Sequence, residues 1–255
     1  MTDLSEVREA VALALRGPDP VEALRVVCRS SVLALPVDGT AISTMSGTRH
    51  RETLCASDEV AAGLEELQFT LGEGPCFEAF AAGVPVLVPD LDTVSGSRWP
   101  VYASRAVECS GARAVFVFPL TFGSLHVGTM STYRATPVPL DAEAVAAAVE
   151  LAETAALVLL GLQDPDGTIA RLQRDPVSPG PGVRVTRHEE VHVAAGMVAE
   201  QLRLSPDAAF DRLRGHAFLE NRLLVDVAAD VVGHRLRLDL APPEEPSGST
   251  TRPQP

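Results

Sequence analysis

The sequence contains no lysine: all 21 basic side chains are arginine, they face 34 acidic ones, and the net charge is −13. We read the missing ammonium groups as a bias of coding composition, because no fold forbids them everywhere. The acidic balance excludes a histone-like protein that coats nucleic acid through bulk positive charge. It leaves a small nucleic-acid module open, since electrostatic footprints are local. Cysteine is scarce and widely spaced. Cys28, Cys55, Cys76 and Cys109 lie 27, 21 and 33 residues apart, which excludes a zinc knuckle or a redox Cys-x-x-Cys. Their apolar surroundings predict four buried, reduced thiols. Long apolar runs are also missing: Ala155 to Leu160 is among the longest, far below the ~18 residues that span a bilayer. The start, Met1-Thr2-Asp3-Leu4-Ser5-Glu6, lacks the basic and apolar regions of a signal peptide. A soluble, cytoplasmic protein without membrane association is expected.

Catalytic patterns are absent in the same way. There is no Gly-x-Ser-x-Gly, no Walker loop and no Gly-x-Gly-x-x-Gly after a strand. Gly72-Glu73-Gly74-Pro75 is followed by no lysine, and Pro75 lacks the N–H that a phosphate cradle needs. One rival stands out. His188-Glu189-Glu190-Val191-His192 satisfies His-Glu-x-x-His, in which two histidines one turn apart bind zinc and the glutamate polarises water. It follows a Pro/Gly-rich stretch, so the histidines fall in a fraying first turn. Ala195 and Val198 occupy the places where an extended motif would continue. Solvated histidines near the start of a helix are the plainer account. The expectation is no enzyme, no catalytic residue, no metal and no cofactor.

What is present is a globular composition, 46% hydrophobic and 22% charged over 255 residues, long enough for one large domain or two ordinary ones. Residues 164–185 hold four prolines and three glycines, which cannot continue a helix or a central strand. They read as a semi-rigid linker. The stretch 241–255 has a disordered composition. An N-terminal domain of residues 1–163 and a C-terminal one of residues 186–240 remain.

In the first, helical spacing of Leu4, Val7, Val11 and Leu15 is broken at Gly17-Pro18-Asp19-Pro20, and resumes from Val21 to about Leu35. Period two over 40–46 and 51–56 predicts a hairpin. Helices are predicted over about 58–67, a short stretch ending at Phe80, 99–109 and 141–162. Strands are predicted over 84–88, 113–120 and 125–133. About five or six short strands with inserted helices and a long closing helix make an α+β, sensor-type domain.

Gly72-Glu73-Gly74-Pro75-Cys76-Phe77-Glu78-Ala79-Phe80, then Gly83-Val84-Pro85-Val86-Leu87-Val88-Pro89-Asp90, resemble the GAF family over roughly residues 20–162. The resemblance implies an antiparallel sheet with flanking helices, a small-molecule pocket under covering loops, and sensing rather than catalysis. The Asn-Lys-Phe-Asp-Glu set of cyclic-nucleotide-binding members is absent, so cyclic GMP is not the expected ligand. Trp99, Tyr102, Phe116, Phe118 and His126 are the candidate pocket residues, with core packing as the alternative use. The framing helices, residues 4–35 and 141–162, carry Ala/Leu/Val faces suited to a homodimer.

Residues 186–240 read as three helices: about 187–202, a second opened by Ser205-Pro206-Asp207 and running to about Phe218, and a third carrying Val227, Ala228, Val231 and Val232. The pattern Ala194-x-Gly196-Met197, Ala209-Phe210-x-x-Leu213-Arg214-x-x-Ala217, Asn221-Arg222 and Leu224-x-Asp226-Val227-Ala228 is similar to the ANTAR family, bacterial RNA-binding antitermination modules often appended to sensor domains. That resemblance implies an RNA stem-loop as partner and a role in transcription antitermination. Ala195 and Leu223 depart from the polar residue and the lysine that many members carry there. Residues 187–240 hold 7 Arg against 9 acidic residues, together with His188, His192, His216 and His234.

Recognition of splayed RNA bases needs close approach and phosphate contacts. Ala194, Ala195, Gly196 and Met197 are candidates for the first, and Arg203, Arg214, Asn221 and Arg222 for the second. A mid-helix glycine costs about 1 kcal/mol relative to alanine, so Gly196 needs a reason: an open face for RNA, or close helix packing. Surface ion pairs are the alternative use of the arginines. The reading from a different class is a GAF ligand-sensing or protein-interaction module whose C-terminal helices bind a protein partner.

Overall fold

Period two between Thr40 and Ala56 becomes an antiparallel hairpin of β1 (Gly39–Ser46) and β2 (His50–Ala56) in the computed structural model of the chain. The structure describes residues 4–16, 21–46, 50–94, 97–162 and 188–238. The predicted linker, 164–185, and tail, 241–255, lie outside the described residues. The chain divides into two units, residues 1–188 and 189–255.

In the first unit, β3 (Val86–Val88), β4 (Ala114–Phe122) and β5 (Leu125–Arg134) join the hairpin in a five-stranded sheet of order β2-β1-β5-β4-β3. Every pairing in it is antiparallel. Helices α1 (Leu4–Ala14), α2 (Val21–Ala34) and α6 (Ala142–Leu162) form one layer, with α2 and α6 packed on the sheet and α1 on both of them. Helices α3 (Glu59–Leu71), α4 (Pro75–Ala82) and α5 (Pro100–Ser110) belong to the opposite side, where α3 and α4 cover the sheet and α5 packs on α3.

Strand alternation divides the core accordingly, because successive side chains leave a strand on opposite faces. Ile42, Cys55, Phe116, Phe118 and Met130 pack under α2 and α6. Val86, Val88, Val115 and Val117 pack with Tyr102 on the other side. A bulge between Ile42 and Ser43 pairs Cys55 with Ile42 but Thr53 with Ser43, and so turns β2 over relative to simple alternation.

The predicted elements of this unit are present with small shifts at their ends. The largest is α3, expected to stop near Leu67 and observed to run to Leu71. Its buried Gln68, Phe69 and Thr70 extend the packed face beyond the apolar pattern. Asp58 caps its start by accepting from the Ala61 N–H at 2.8 Å. Gly72, at φ 71°, ends it in the left-handed conformation.

The second unit contains α7 (Glu189–Leu202), α8 (Pro206–Leu219) and α9 (Leu224–Val232), mutually packed around Val191, Val198, Phe210, Leu213, Leu224 and Val227. Ser205 caps α8 from its side chain, which accepts from the Ala208 N–H at 3.2 Å, and Pro206 opens the helix. Three non-glycine residues follow helix ends with positive φ: Arg203 (53°) after α7, Asn221 (55°) after α8 and His234 (56°) after α9. The Leu204 N–H returns to the Ala199 carbonyl at 3.0 Å, and the Arg222 N–H to that of Ala217 at 2.9 Å. No helix among the described residues is long and apolar enough to cross a membrane.

Candidate functional site

A charged pair lies at the centre of the first unit. Arg51 on β2 and Glu65 on α3 form a salt bridge with both side chains at 0% exposure. Glu65 also accepts from the hydroxyls of Ser43 on β1 and Ser131 on β5, the latter at 2.7 Å. Burial by itself would raise the Glu65 pKa. The Arg51 charge and the hydroxyl hydrogen bonds outweigh it, and the carboxyl is held below its ordinary value. The Arg51 guanidinium lies 5.5 Å from the centre of the Phe77 ring. Gln68 adds a second polar tier: its Oε1 accepts from the Cys76 N–H at 2.8 Å and its Nε2 lies 3.1 Å from Cys76 Sγ. Burial first, then the Glu65 charge, pushes the Cys76 thiol up to about 12, so it is protonated at neutral pH.

Beside this network is a cavity of ≈ 10 Å³, lined by Leu64, Glu65, Gln68, Tyr102, Ser131 and Tyr133 among others. That is room for about one water, against the several hundred Å³ of a ligand pocket. Among the described residues, the Tyr102 hydroxyl and Arg51 Nε are buried without a hydrogen-bond partner.

Of the five residues predicted to line a sensor pocket, only Tyr102 reaches this cavity. Phe116 and Phe118 are buried in the layer beneath α2 and α6. Register explains why: Ser131, which faces Glu65, pairs with Val117, so the flanking phenylalanines leave the sheet on the other side. Trp99 is half-buried at φ 47° with the Arg98 guanidinium 4.4 Å from its ring centre. His126 Nδ1 is 2.6 Å from the Phe80 carbonyl oxygen.

The Gly72–Phe80 run has structural employment at each step. Gly74, at φ 138°, sits where a Cβ would come within 2.5 Å of the Gln68 side chain. Glu73 Oε1 accepts from the N–H groups of Val101 and Tyr102 at 2.9 and 2.8 Å, placing an anion at the start of α5. Glu78 pairs with Arg98. The expectation of four buried thiols needs one correction: Cys28, Cys55 and Cys76 are buried, but Cys109, in the last turn of α5, is exposed.

The solvated-histidine reading is also corrected at one position. His188 precedes α7, belongs to the first unit and is 4% exposed. Its ring stacks on Phe69 with centroids 3.5 Å apart, Nδ1 lies 2.7 Å from the Arg51 carbonyl oxygen and Nε2 lies 3.0 Å from Glu66 Oε2. Both ring nitrogens are thus engaged in polar contacts that the His-Glu-x-x-His pattern does not foresee. His192 is exposed, with its ring 5.9 Å from that of Phe210.

In the second unit, the predicted RNA residues divide by burial. Ala194 and Ala195 are 0% and 4% exposed and belong to the core. Gly196 is exposed, and a Cβ added there would meet nothing within 4 Å among the described residues, so packing among these helices does not account for it. Gly215 on α8 is open in the same way. Met197 is half-buried, while Arg203 and Asn221 are exposed. The Arg214 guanidinium lies 4.6 Å from the Phe210 ring centre. Arg222 pairs with Asp230 at 2.5 Å and Glu220 at 3.3 Å. Hydrogen bonds to Asp230 and Glu220 raise the Arg222 pKa further, and those from Arg222 and Arg235 lower that of Asp230.

The buried Arg51–Glu65 cluster escaped the sequence reading, since Glu65 sits beside another glutamate in a helix. A signal existed in the strands: Ser43, Thr53, Thr129 and Ser131 place small hydroxyls on inward positions of β1, β2 and β5.

Family profiles match in two places: a GAF domain over residues 18–160 and an ANTAR domain over residues 184–232. A search of curated protein sequences finds no match. Among solved structures, the chain is similar to the GAF domain of a phosphoenolpyruvate-protein phosphotransferase from Coxiella burnetii. That match has 17% identity and a TM-score of 0.47, and covers 62% of this chain and 93% of the other. It is also similar to a GAF domain/HD domain protein from Geobacter sulfurreducens, with 15% identity, a TM-score of 0.46, and coverage of 57% and 94%. A third is free methionine-R-sulfoxide reductase from Neisseria meningitidis in complex with its substrate, with 16% identity, a TM-score of 0.43, and coverage of 63% and 92%. The antiparallel five-stranded sheet with flanking helices is a GAF fold, and the three C-terminal helices fit the ANTAR domain. The chain belongs to the GAF family and carries an ANTAR domain, so that it joins a sensor-type domain to a module of a known RNA-binding antitermination class.

Proposed function

We propose that the chain is a cytoplasmic bacterial transcription antitermination regulator, not an enzyme, whose ANTAR domain binds an RNA stem-loop under control of its GAF domain. The ANTAR match over residues 184–232 carries this reading. Bound RNA would keep a competing terminator hairpin from forming. The exposed Gly196 supports it, because a helix that spends a glycine on an unpacked face offers its backbone to close approach. Met197, Arg203, Arg214, Asn221 and Arg222 complete the proposed contact set. Ala194 and Ala195 act from the core beneath it, by seating α7. Arg214 presents a flat guanidinium already placed over an aromatic ring, a geometry suited to base stacking.

The proposed active form is a homodimer. Exposed leucines on three helices of one layer, Leu13 at 70%, Leu33 at 65% and Leu157 at 58%, support a self-association surface. Light scattering at micromolar concentration checks this, and a clean monomer overturns it. Linker and domain limits are proposed as 1–163, 164–185, 186–240 and 241–255. The cavity beside Tyr102 holds about one water as it stands, so a small molecule bound there would have to open it.

A second reading is favoured by exposed apolar residues in the second unit: Phe218, Leu219 and Leu223 are 49%, 82% and 41% exposed. They suit a protein partner. The deciding experiment measures binding of the full chain to a pool of short RNA hairpins at stated salt, with matched DNA hairpins as control. Arg214→Gln with Arg222→Gln is expected to abolish hairpin binding while circular dichroism stays unchanged. No RNA preference in the folded parent moves the assignment to the protein partner, and retained binding in the variant places the RNA contact away from Arg214 and Arg222.

A further inference from the structure

The layer formed by α1, α2 and α6 contains a feature that neither ligand sensing nor RNA binding uses. Cys28 on α2 and Cys55 on β2 bring their sulfurs to 2.8 Å, each side chain 1% exposed or less. A disulfide bond is about 2.05 Å long, so closing one needs less than about 1 Å of travel. Twenty-seven residues separate the two in sequence, and the approach exists because the β-bulge delivers Cys55 to the side of the sheet facing α2. Hydrogen bonding leaves room for the change. The only other hydrogen bond either thiol makes among the described residues is from Cys55 Sγ to the Leu24 carbonyl at 3.5 Å. Cys76 lies across the sheet, engaged with Gln68 and Glu65, and Cys109 is exposed on α5.

We propose that Cys28 and Cys55 are an oxidation site, closed into a disulfide by a peroxide, which fastens α2 to β2. In the first step one thiolate attacks a peroxide oxygen. The O–O bond breaks, the released hydroxide takes a proton to become water, and the sulfur becomes a sulfenic acid. In the second step the other thiolate attacks that sulfur; the S–S bond forms, the S–O bond breaks and a second water leaves. Two thiols and one hydrogen peroxide give one disulfide and two waters. Burial, then the bond to Cys55, holds the Cys28 thiol well above its ordinary value, so reaction waits for α2 to lift from the sheet and is slow. The consequence is local: α2 packs on α1 and α6, so the bond fixes the whole helical layer on the sheet.

The test uses the full chain, reduced, freed of reductant and treated with hydrogen peroxide, then quenched, denatured and alkylated with iodoacetamide. The expected result is an intact mass two hydrogens lower than reduced protein before alkylation, and a peptide pair joined through Cys28 and Cys55 after digestion. The same pair is expected in Cys109→Ser, which removes the exposed thiol and the intermolecular bonds it could form. Closing this loop is expected to raise the Tm of the first unit by roughly 5–10 °C, reversed by reductant. Four alkylated thiols after prolonged treatment, or separate over-oxidation of Cys28 and Cys55 without the joined peptide, would overturn the proposal. A joined peptide with unchanged Tm would overturn its fastening role.

Discussion

Two arginines, one from each unit, are used in opposite ways. Arg51 is sunk in the first unit at 0% exposure, paired with Glu65 and facing hydroxyls from neighbouring strands. Arg222 in the second lies on the surface, clasped by Asp230 and Glu220 where solvent competes. The buried pair gains more from Coulomb attraction but carries a desolvation cost that only its complete set of partners offsets. The exposed pair contributes little to stability and can be exchanged for another anion at small cost. A phosphate is such an anion. The difference teaches what each pair is committed to: the Arg51 charge is locked into the fold, whereas the Arg222 charge stays available.

Breaking the buried pair gives the largest expected effect. Glu65→Ala leaves Arg51 charged, buried and unpaired, and is expected to destabilise the first unit by about 3–5 kcal/mol. The double variant Arg51→Met with Glu65→Leu removes both charges and should recover most of that loss, because hydrophobic replacement of a buried pair is often neutral or favourable. Chemical denaturation of parent, single and double variants checks it; equal loss in both variants would show that packing, not charge, governs the site. In the second unit the equivalent wound is apolar. Leu213→Ala, at a side chain 0% exposed, is expected to cost about 2–5 kcal/mol. A helical unit of this size cannot absorb that and should lose its helical signal while the first unit's transition stays in place.

Acid sharpens the same contrast. Because the folded-state pKa of Glu65 lies below the ordinary 4.5, its contribution is fully present above pH 4.5 and is lost as the pH falls below that value. At the alkaline end the sign is the other way round for Cys76. With its thiol pushed up to about 12 from 9.0, the stability it contributes is present below pH 9 and fades as the pH rises toward 12. Unfolding midpoints across pH, at low and high salt, report both. The acid loss in the first unit should be nearly independent of salt. Any acid loss through Asp230 in the second should be screened by it.

Legibility in the sequence followed the same division. Elements were readable wherever apolar spacing was regular, as in α2, α6 and the β1–β2 hairpin, because one face of each is buried over its whole length. Phe116 and Phe118 read as strand residues and as pocket candidates, but both sides of the sheet are covered and alternation alone cannot say which layer holds a pocket. Glu65 was invisible for a deeper reason. Its burial depends on Arg51, Ser43 and Ser131 arriving from three strands, a coincidence of tertiary structure that the inward hydroxyls of the strands signal but no pattern within α3 encodes. Cys28 and Cys55 were judged singly for the same reason, their meeting being a product of the bulge at Ile42.

Gly196→Ala has the smallest expected effect on stability and separates fold from function most cleanly. The added Cβ meets nothing within 4 Å, so the only intramolecular consequence is helix propensity, worth about 1 kcal/mol in favour of alanine. The second unit should therefore become more stable. If α7 presents Gly196 to RNA, the same methyl group occupies the contact surface, and hairpin affinity should fall while stability rises. Opposite signs in thermal unfolding and RNA titration are the expected outcome. A variant that is more stable and binds RNA unchanged would place the RNA contact elsewhere on the unit, away from α7. Gly215→Ala is the companion measurement, since that glycine is equally open on α8. A loss of affinity confined to one of the two identifies the helix that meets the RNA.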